Sequence, residues 1–160
     1  MKIAIISDTH DTEIRVNEIV KLLKTKTKPD AVIHCGDLCS PFVLEALNEL
    51  KCPVYICFGY QDCGVALALS ERKGPQVHLF DRLGEIKEEK IAFTHTPIFA
   101  RALAKTGDYK AVFYGHTHEA KIEKFGDCLL VNPGEIMGRK SKPTYAIYDT
   151  KTNEVEIKEL

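Results

Sequence analysis

The chain has 160 residues, of which 44% are hydrophobic and 28% are charged, and its formal net charge is −1. This length and composition fit one globular domain with its own core, so we expect a single domain over residues 1–160. The near-neutral charge gives no long-range attraction for nucleic acid, and no apolar stretch approaches the roughly 18 to 20 residues that span a bilayer. We therefore expect no membrane association and no specific nucleic-acid binding.

The N-terminus lacks the basic, apolar and small-residue pattern of a secretory signal peptide. The six cysteines form no C-x-x-C pair, which argues against a structural zinc knuckle or a thioredoxin-type motif. Three of them, Cys35, Cys57 and Cys128, lie in apolar runs and are expected to be buried free thiols. Together these features predict a cytoplasmic protein with reduced cysteines.

The first half of the chain alternates apolar runs with amphipathic stretches. The predicted strands are Lys2–Ser7, Ala31–Cys35 and Pro53–Phe58. Between them, a helical spacing of apolar residues extends from Ile14 to Leu23, and Ser40-Pro41 provides an N-cap followed by proline at the first helical position. Strands that alternate with helices predict βαβ units around a mostly parallel sheet.

The second half of the chain contains shorter strands and tight turns. A helical or irregular piece is expected at 65–72, a hairpin at 85–95, a helix at 98–105, and strands at 111–114, 121–125, 129–131, 145–149 and 155–158. Turns are expected at Gly126-Asp127 and Thr152-Asn153. The predicted architecture is α/β, with two mixed β-sheets packed face to face and helices outside, in three or four layers.

Histidine and aspartate residues follow the apolar runs in four short clusters. The clusters read Asp8-Thr9-His10, Gly36-Asp37, Thr94-His95 and Gly115-His116-Thr117-His118. Ligands of open α/β sheets bind outside the carboxyl ends of the strands, so these side chains should converge at one edge. A lone Asp-x-His is usual in turns and helix starts, Gly-Asp is common in loops, and His-x-His alone more often has no metal. Their joint occurrence at successive strand ends favours a metal site of carboxylates and imidazoles.

The two remaining histidines belong to no cluster. His34 lies on the second predicted strand, and we expect it in the core or in support of the site. His78 is expected on the surface or on an edge strand.

The four clusters, together with Gly59-x-x-Asp62, resemble in order and spacing the signature blocks of the calcineurin-like metallophosphoesterases. Asn132-Pro133-Gly134 matches a later turn of the same family. The similarity is greatest to small, single-domain phosphodiesterases of the YfcE type and covers nearly the whole chain. It implies a metal-dependent phosphoesterase that hydrolyses phosphodiesters.

The family's metal ligands can be placed on this sequence residue by residue. They are Asp8, His10, Asp37 and His118 for one ion, with Asp37 bridging to the other, and His95 and His116 for that second ion. Such pairs of ions lie about 3.5 to 4 Å apart and activate a water molecule for in-line attack. Manganese is the expected metal, and nickel, iron or zinc are alternatives that mixed oxygen and imidazole ligands also suit.

The third block departs from the family at Tyr60, where asparagine is usual. The asparagine amide coordinates the second metal and donates to phosphate, which a phenol cannot reproduce. Three interpretations stay open. A loop shift brings Gln61 into the asparagine's place, Tyr60 itself coordinates as a phenolate, or Tyr60 covers the site and leaves the second metal weakly held.

Two smaller departures concern Thr96, where glycine is usual, and Glu135, where serine is frequent. We expect Glu135 at the surface; the alternative is a negative charge near the site that disfavours anionic substrates.

The resemblance implies a catalytic set of Asp37, His95, Asp62 and Tyr60 acting on a small phosphodiester, with activity lowered by Tyr60. The alternative is a weakly active or inactive binding module, because the retromer scaffold subunit resembles the same fold and serves as an interaction surface. Many relatives pair through exposed surfaces, so a homodimer is one expected state, although the sequence does not fix it.

Overall fold

The computed structural model describes residues 1–160 and consists of eleven strands and four α-helices joined by short turns. The strands are β1 Lys2–Ile6, β2 Ala31–His34, β3 Val54–Cys57, β4 Val77–Phe80, β5 Leu83–Ile86, β6 Ile91–Thr94, β7 Ala111–Tyr114, β8 Lys121–Phe125, β9 Cys128–Asn132, β10 Thr144–Asp149 and β11 Glu154–Glu159. The helices are α1 Glu13–Leu22, α2 Pro41–Leu47, α3 Ala66–Arg72 and α4 Pro97–Ala104.

The strands form two mixed sheets. The six-stranded sheet has the order β11-β10-β1-β2-β3-β4, in which β1 to β4 are parallel and β10 is antiparallel to β1. The five-stranded sheet has the order β5-β6-β7-β9-β8, in which β6, β7 and β9 are parallel. The predicted fold class, two mixed sheets with flanking helices, is confirmed.

Three apolar cores separate four layers. The first core joins α1, α2 and α3 to the six-stranded sheet and includes Ala4, Ile6, Ile19, Leu44, Leu47 and Leu69. The second core lies between the two sheets and includes Ile3, Ile5, Phe93, Phe113 and Val131. The third joins α4 to the five-stranded sheet and includes Ala92, Ala100, Ala104, Val112 and Leu130. Successive residues of β1 thus face different cores, as the two-residue period of a strand requires.

The parallel strands end at one side of the molecule. The loops after β1, β2 and β3 leave the six-stranded sheet there, and the loops after β6 and β7 leave the five-stranded sheet. Helices α2 and α4 begin directly after two of these loops, each with a proline in the first turn, where the missing N–H costs nothing. All four clusters of aspartate and histidine lie in these loops.

The sequence did not predict β4. This strand pairs in parallel with β3 at the edge of the six-stranded sheet, and its mixed burial pattern gives no clear alternation. His78 is an exposed residue of that edge strand, as predicted. None of the helices is long and apolar enough to cross a membrane.

Candidate metal centre

Five of the six predicted metal ligands meet at the carboxyl ends of the parallel strands. The ligand atoms of Asp8, His10 and His118 lie within 4.8 Å of one another, as do those of Asp8, Asp37 and His95. We refer to Asp8, His10 and His118 as the first half-site, and to Asp37, His95 and His116 as the second half-site. The His116 side chain is exposed and belongs to neither close group.

The backbone turns sharply at nearly every predicted ligand. Five residues have left-handed φ values: Asp8 at 51°, His10 at 45°, Asp37 at 57°, His116 at 72° and His118 at 66°. Such values are uncommon outside glycine and cluster at functional sites, where surrounding contacts enforce them. The chain leaves the strand direction at this turn, and the ligand atoms of Asp8 and His10 lie in one group with that of His118.

Close backbone approach explains two glycines of the motifs. Gly36 has φ of 96°, and a Cβ there would lie 2.7 Å from the backbone nitrogen of Gly59. A Cβ at Gly59 would lie 2.1 Å from Oδ1 of Asp37. The loops after β2 and β3 therefore pack directly against each other, and this contact holds the Asp37 carboxylate in place.

The side chain of Asp62 connects the same two loops by hydrogen bonds. Its buried carboxylate accepts four backbone N–H groups, from Asp37 at 2.9 Å and from Leu38, Cys39 and Gly59 at 2.8 Å each. Both oxygens are thus engaged by backbone amides. These contacts are those of a residue that positions Asp37; the predicted catalytic role of Asp62 stays a prediction.

The two histidines of the first half-site are held at Nδ1, and Nε2 of His118 approaches an aspartate. His118 donates from Nδ1 to Glu135, and its Nε2 lies 3.5 Å from Oδ1 of Asp8. The Nδ1 atom of His10 lies 3.2 Å from Sγ of Cys39, and the His10 and His118 rings stack at 5.4 Å. Asp8 accepts a 2.6 Å hydrogen bond from Ser7. Each of the three side chains in this half-site thus contacts a neighbouring side chain that limits its movement.

The position of Glu135 differs from the one expected. The sequence predicts it at the surface, but its side chain is fully buried, with Oε2 2.5 Å from Nδ1 of His118. Its partner lies on a different loop, and no local pattern in the sequence connects them. A carboxylate behind a metal-binding histidine fixes which ring nitrogen carries the proton and leaves the other free for a metal.

In the second half-site, His95 is held in the same way. Its Nδ1 donates to the backbone carbonyl of Cys35 at 2.8 Å, and its Nε2 lies 3.4 Å from Oδ2 of Asp37. His116 contributes differently, because its backbone N–H donates to the Asp8 carboxylate while its ring packs against Tyr60.

Tyr60 stands over the second half-site. Its ring centroid lies 4.9 Å from that of His116 and 5.4 Å from that of His95, with edge-on geometry to both. Its hydroxyl is 3.2 Å from Oγ1 of Thr96, and 46% of the residue is exposed. Gln61 is exposed and contacts the centre through its backbone N–H, which donates to Asp37.

The carboxylates and imidazoles shift one another's acidity. Burial raises the pKa of Asp8 above its usual value, despite the hydrogen bond from Ser7. Burial has the same effect on Asp37, but the nearby His95 imidazole and the Gln61 N–H outweigh it, so the pKa of Asp37 is lowered. The pKa of His95 is raised, since attraction to Asp37 exceeds the opposing effect of burial.

The donor set fits a divalent cation. The Nε2 atoms of His10 and His95 are buried and have no hydrogen-bond partner. Buried polar atoms without partners are rare and costly, and a bound ion would give these two a partner. Two aspartates beside three imidazoles provide the mixed oxygen and nitrogen ligands that transition metals prefer. The side chains present therefore suit such an ion.

Two further residues support the centre. His34 is buried, lies 3.0 Å from Oγ1 of Thr9 through Nε2, and accepts the Gly36 N–H at Nδ1, which agrees with its expected place in the core or in support of the site. Asn132 donates to the carbonyl of Gly115 at 3.0 Å and thereby holds the loop that carries His116 and His118. The role of Ser7 beside Asp8 was not predicted, because nothing in its local sequence distinguishes it.

Comparison with known proteins agrees with this picture. Residues 1–153 match the calcineurin-like phosphoesterase superfamily domain. The chain is 32% identical over 162 residues to a protein of Methanocaldococcus jannaschii named phosphodiesterase MJ0936, covering 96% of each.

Solved structures show the same fold. The structure of an archaeal phosphodiesterase, 32% identical, superposes with a TM-score of 0.86 over 100% of both chains. The structure of YfcE, a phosphoesterase from E. coli, is 18% identical and superposes with a TM-score of 0.71 over 99% of both chains.

Proposed function

This chain belongs to the calcineurin-like phosphoesterase superfamily, and on that premise we propose that it is a metal-dependent phosphodiesterase. The observation that carries the proposal is the pair of buried, unpartnered Nε2 atoms on His10 and His95, set beside the carboxylates of Asp8 and Asp37. A protein without a metal would gain nothing from leaving these atoms unpaired. The similarity to a protein named phosphodiesterase over nearly its whole length supports the choice of a diester substrate.

We assign the first ion to Asp8, His10 and His118, together with the Asp37 carboxylate, whose Oδ2 lies 4.0 Å from Nε2 of His10. The second ion would share Asp37 and be held by His95, with His116 as a weaker ligand. When bound, two divalent ions supply an activated water molecule and neutralise charge that develops on the phosphoryl group. Manganese is our first choice of metal, with nickel, iron or zinc as alternatives.

The residues of the chain prepare this chemistry by orientation. The Cys35 carbonyl and the Glu135 carboxylate each hold an Nδ1–H, so His95 and His118 present Nε2 to the centre. Asp62 fixes the loop of Asp37, and the exposed His116 lies at the solvent side of the second half-site. Such pre-set geometry is what in-line displacement requires.

Tyr60 is proposed to weaken the second position. Its ring lies against both imidazoles of that half-site, where the family has an asparagine amide. Of the three interpretations left open by the sequence, this packing favours a ring that covers the position. We propose that the second ion would be bound weakly and that phosphate oxygens of the substrate would complete its coordination.

The expected compartment and assembly are also proposals. All six cysteines are free thiols, which fits a reducing compartment such as the cytoplasm. A homodimer, a lack of specific nucleic-acid binding and a catalytic role for Asp62 stay predictions.

The test is hydrolysis of bis(p-nitrophenyl) phosphate by metal-stripped protein to which Mn²⁺, Ni²⁺, Fe²⁺ or Zn²⁺ is returned. We expect turnover with at least Mn²⁺ and none with Asp37→Asn, because Asp37 joins the two half-sites. Asp127→Asn, at an exposed turn, is the matched control and should behave as the unmodified chain. Failure of all four metals to restore turnover would contradict the proposal.

A second candidate function is a binding module with little catalysis. The observation that favours it is Tyr60, a large, half-exposed aromatic ring at the mouth of the centre. This alternative predicts at most one ion per chain by elemental analysis, no turnover, and a partner whose binding is lost in Tyr60→Ala. Two ions per chain with turnover would exclude it.

A further inference from the structure

Glu135 joins a proposed metal ligand to a basic surface loop. Its Oε2 accepts from Nδ1 of His118 at 2.5 Å, and its Oε1 accepts the backbone N–H groups of Lys140 at 2.5 Å and Ser141 at 2.6 Å. The side chain is fully buried, and these partners engage both of its oxygens. One carboxylate therefore contacts both the first half-site and the loop.

The loop is residues 138–142, which read Gly-Arg-Lys-Ser-Lys and are all exposed. On its N-terminal side, the Met137 N–H donates to the carbonyl of Asp8 at 3.2 Å. On its C-terminal side, the Ser141 hydroxyl donates to the carbonyl of His118 at 3.2 Å. The loop has no regular secondary structure, so these bonds, the Glu135 carboxylate and an exposed ion pair of Lys142 with Glu159 fix its position.

We propose that Glu135 is a positioning residue that orients His118 for the first metal ion and couples occupancy of that site to the order of loop 138–142. The proposal rests on the proposed function, since it needs a metal ion at the first half-site. The carboxylate keeps the proton on Nδ1, which leaves Nε2 available as a ligand and makes it more basic.

The coupling works in both directions. An ion bound to Nε2 would fix the His118 ring, which holds the Glu135 carboxylate, and that carboxylate accepts the amides of Lys140 and Ser141. If metal binding favours the ordered loop by some factor, then ordering the loop through this contact strengthens metal binding by that same factor, because the two equilibria are linked. A serine at this position would be too short to reach all three partners, so the coupling needs the length of the glutamate side chain.

The first test is the Mn²⁺ affinity of Glu135→Gln and Glu135→Ser, measured by calorimetric titration of the metal-stripped proteins. We expect the dissociation constant to rise about 10- to 100-fold, as is typical when the partner of a metal-binding histidine is lost. Glu119→Gln is the matched control, since Glu119 is adjacent to His118 in sequence but exposed. It should bind Mn²⁺ as the unmodified chain does.

The second test uses trypsin, which cleaves after arginine and lysine and so reads the bonds Arg139–Lys140 and Lys140–Ser141 directly. The amides of both bonds are the ones that Glu135 holds. In the unmodified chain, saturating Mn²⁺ should slow cleavage there at least threefold, as followed by mass spectrometry of the fragments. In Glu135→Gln, cleavage should be faster, and Mn²⁺ at saturation for that variant should give no protection.

The outcomes separate the two proposals. If the unmodified chain binds Mn²⁺ and hydrolyses diesters, but both variants bind Mn²⁺ with unchanged affinity, only the role of Glu135 is wrong. If Mn²⁺ does not slow cleavage of the unmodified loop, the coupling is wrong, and this result needs no variant to fold. If the unmodified chain binds no metal, both proposals fail.

Discussion

The two half-sites lie together at the carboxyl ends of strands from both sheets but differ in how many contacts hold their histidines. In the first, both histidines have a partner at Nδ1, from Cys39 and Glu135, and the rings stack on each other. In the second, only His95 has such a partner, while His116 is exposed and packs against Tyr60. On the proposed assignment, this difference predicts two unequal metal positions, because neighbouring residues decide which ligands are oriented in advance.

The largest expected difference separates two histidines that are two residues apart. His118→Ala should lower kcat/KM for an aryl phosphodiester more than about 100-fold, because loss of a ligand should exceed the 10- to 100-fold cost of losing a ligand's partner. His116→Ala should lower it less than about tenfold, since its backbone N–H, which contacts Asp8, remains. Both are measured with saturating Mn²⁺, and equal losses would show that the half-sites are equivalent.

Asp62 tests whether one residue supports both half-sites. Asp62→Asn should place an NH₂ group against two of the four backbone N–H donors and destabilise the fold by about 2 to 6 kcal/mol, since each buried N–H without a partner costs about 1 to 3 kcal/mol. Urea unfolding of the metal-stripped protein measures this, with Asp127→Asn as control. A loss of activity with unchanged stability would instead support the predicted catalytic role.

His34 supports the loops of Asp8 and Asp37 and should make stability depend on pH. Burial lowers its pKa from 6.5 to about 3, so between these values the unfolded chain binds a proton that the folded chain does not. Stability should therefore fall as pH decreases through this window, by about 1.4 kcal/mol per pH unit from this group.

His34→Asn retains an acceptor for the Gly36 N–H but cannot titrate. The difference in unfolding free energy between the unmodified chain and this variant, measured from pH 7 to 5, isolates the contribution of His34. A pH-independent difference would mean that the imidazole is not the titrating group.

The smallest expected effect is an increase in metal occupancy and rate when Tyr60 is replaced. Tyr60→Asn should restore an amide beside His95 and His116 and raise Mn²⁺ occupancy of the second half-site, with a rate increase of less than about tenfold, because substrate already helps to complete that position. Tyr60→Phe is the control, since it keeps the ring and removes only the hydroxyl. If neither metal content nor rate changes in Tyr60→Asn, the account of the weaker half-site is wrong.

The sequence predicted the strands that carry the ligands, because a short apolar run that ends in Asp or His is typical of a buried strand leading into a site in an α/β chain. It did not predict that Glu135 is buried, since a carboxylate is normally solvated and its partners come from other loops. It assigned His116 and His118 to different ions by resemblance, but it did not predict that His118 is buried and held while His116 is exposed. Both follow the same strand and share a left-handed backbone, and only the contacts with Tyr60 and Glu135 separate them.

The left-handed backbone at five of the predicted ligands bears on how this protein would evolve. Glycine adopts that conformation freely, whereas aspartate and histidine do so at a cost of about 1 kcal/mol or more each. A descendant released from selection on the site would gain stability by accepting glycine there. The identity of these residues in a lineage thus records whether natural selection still maintains the centre.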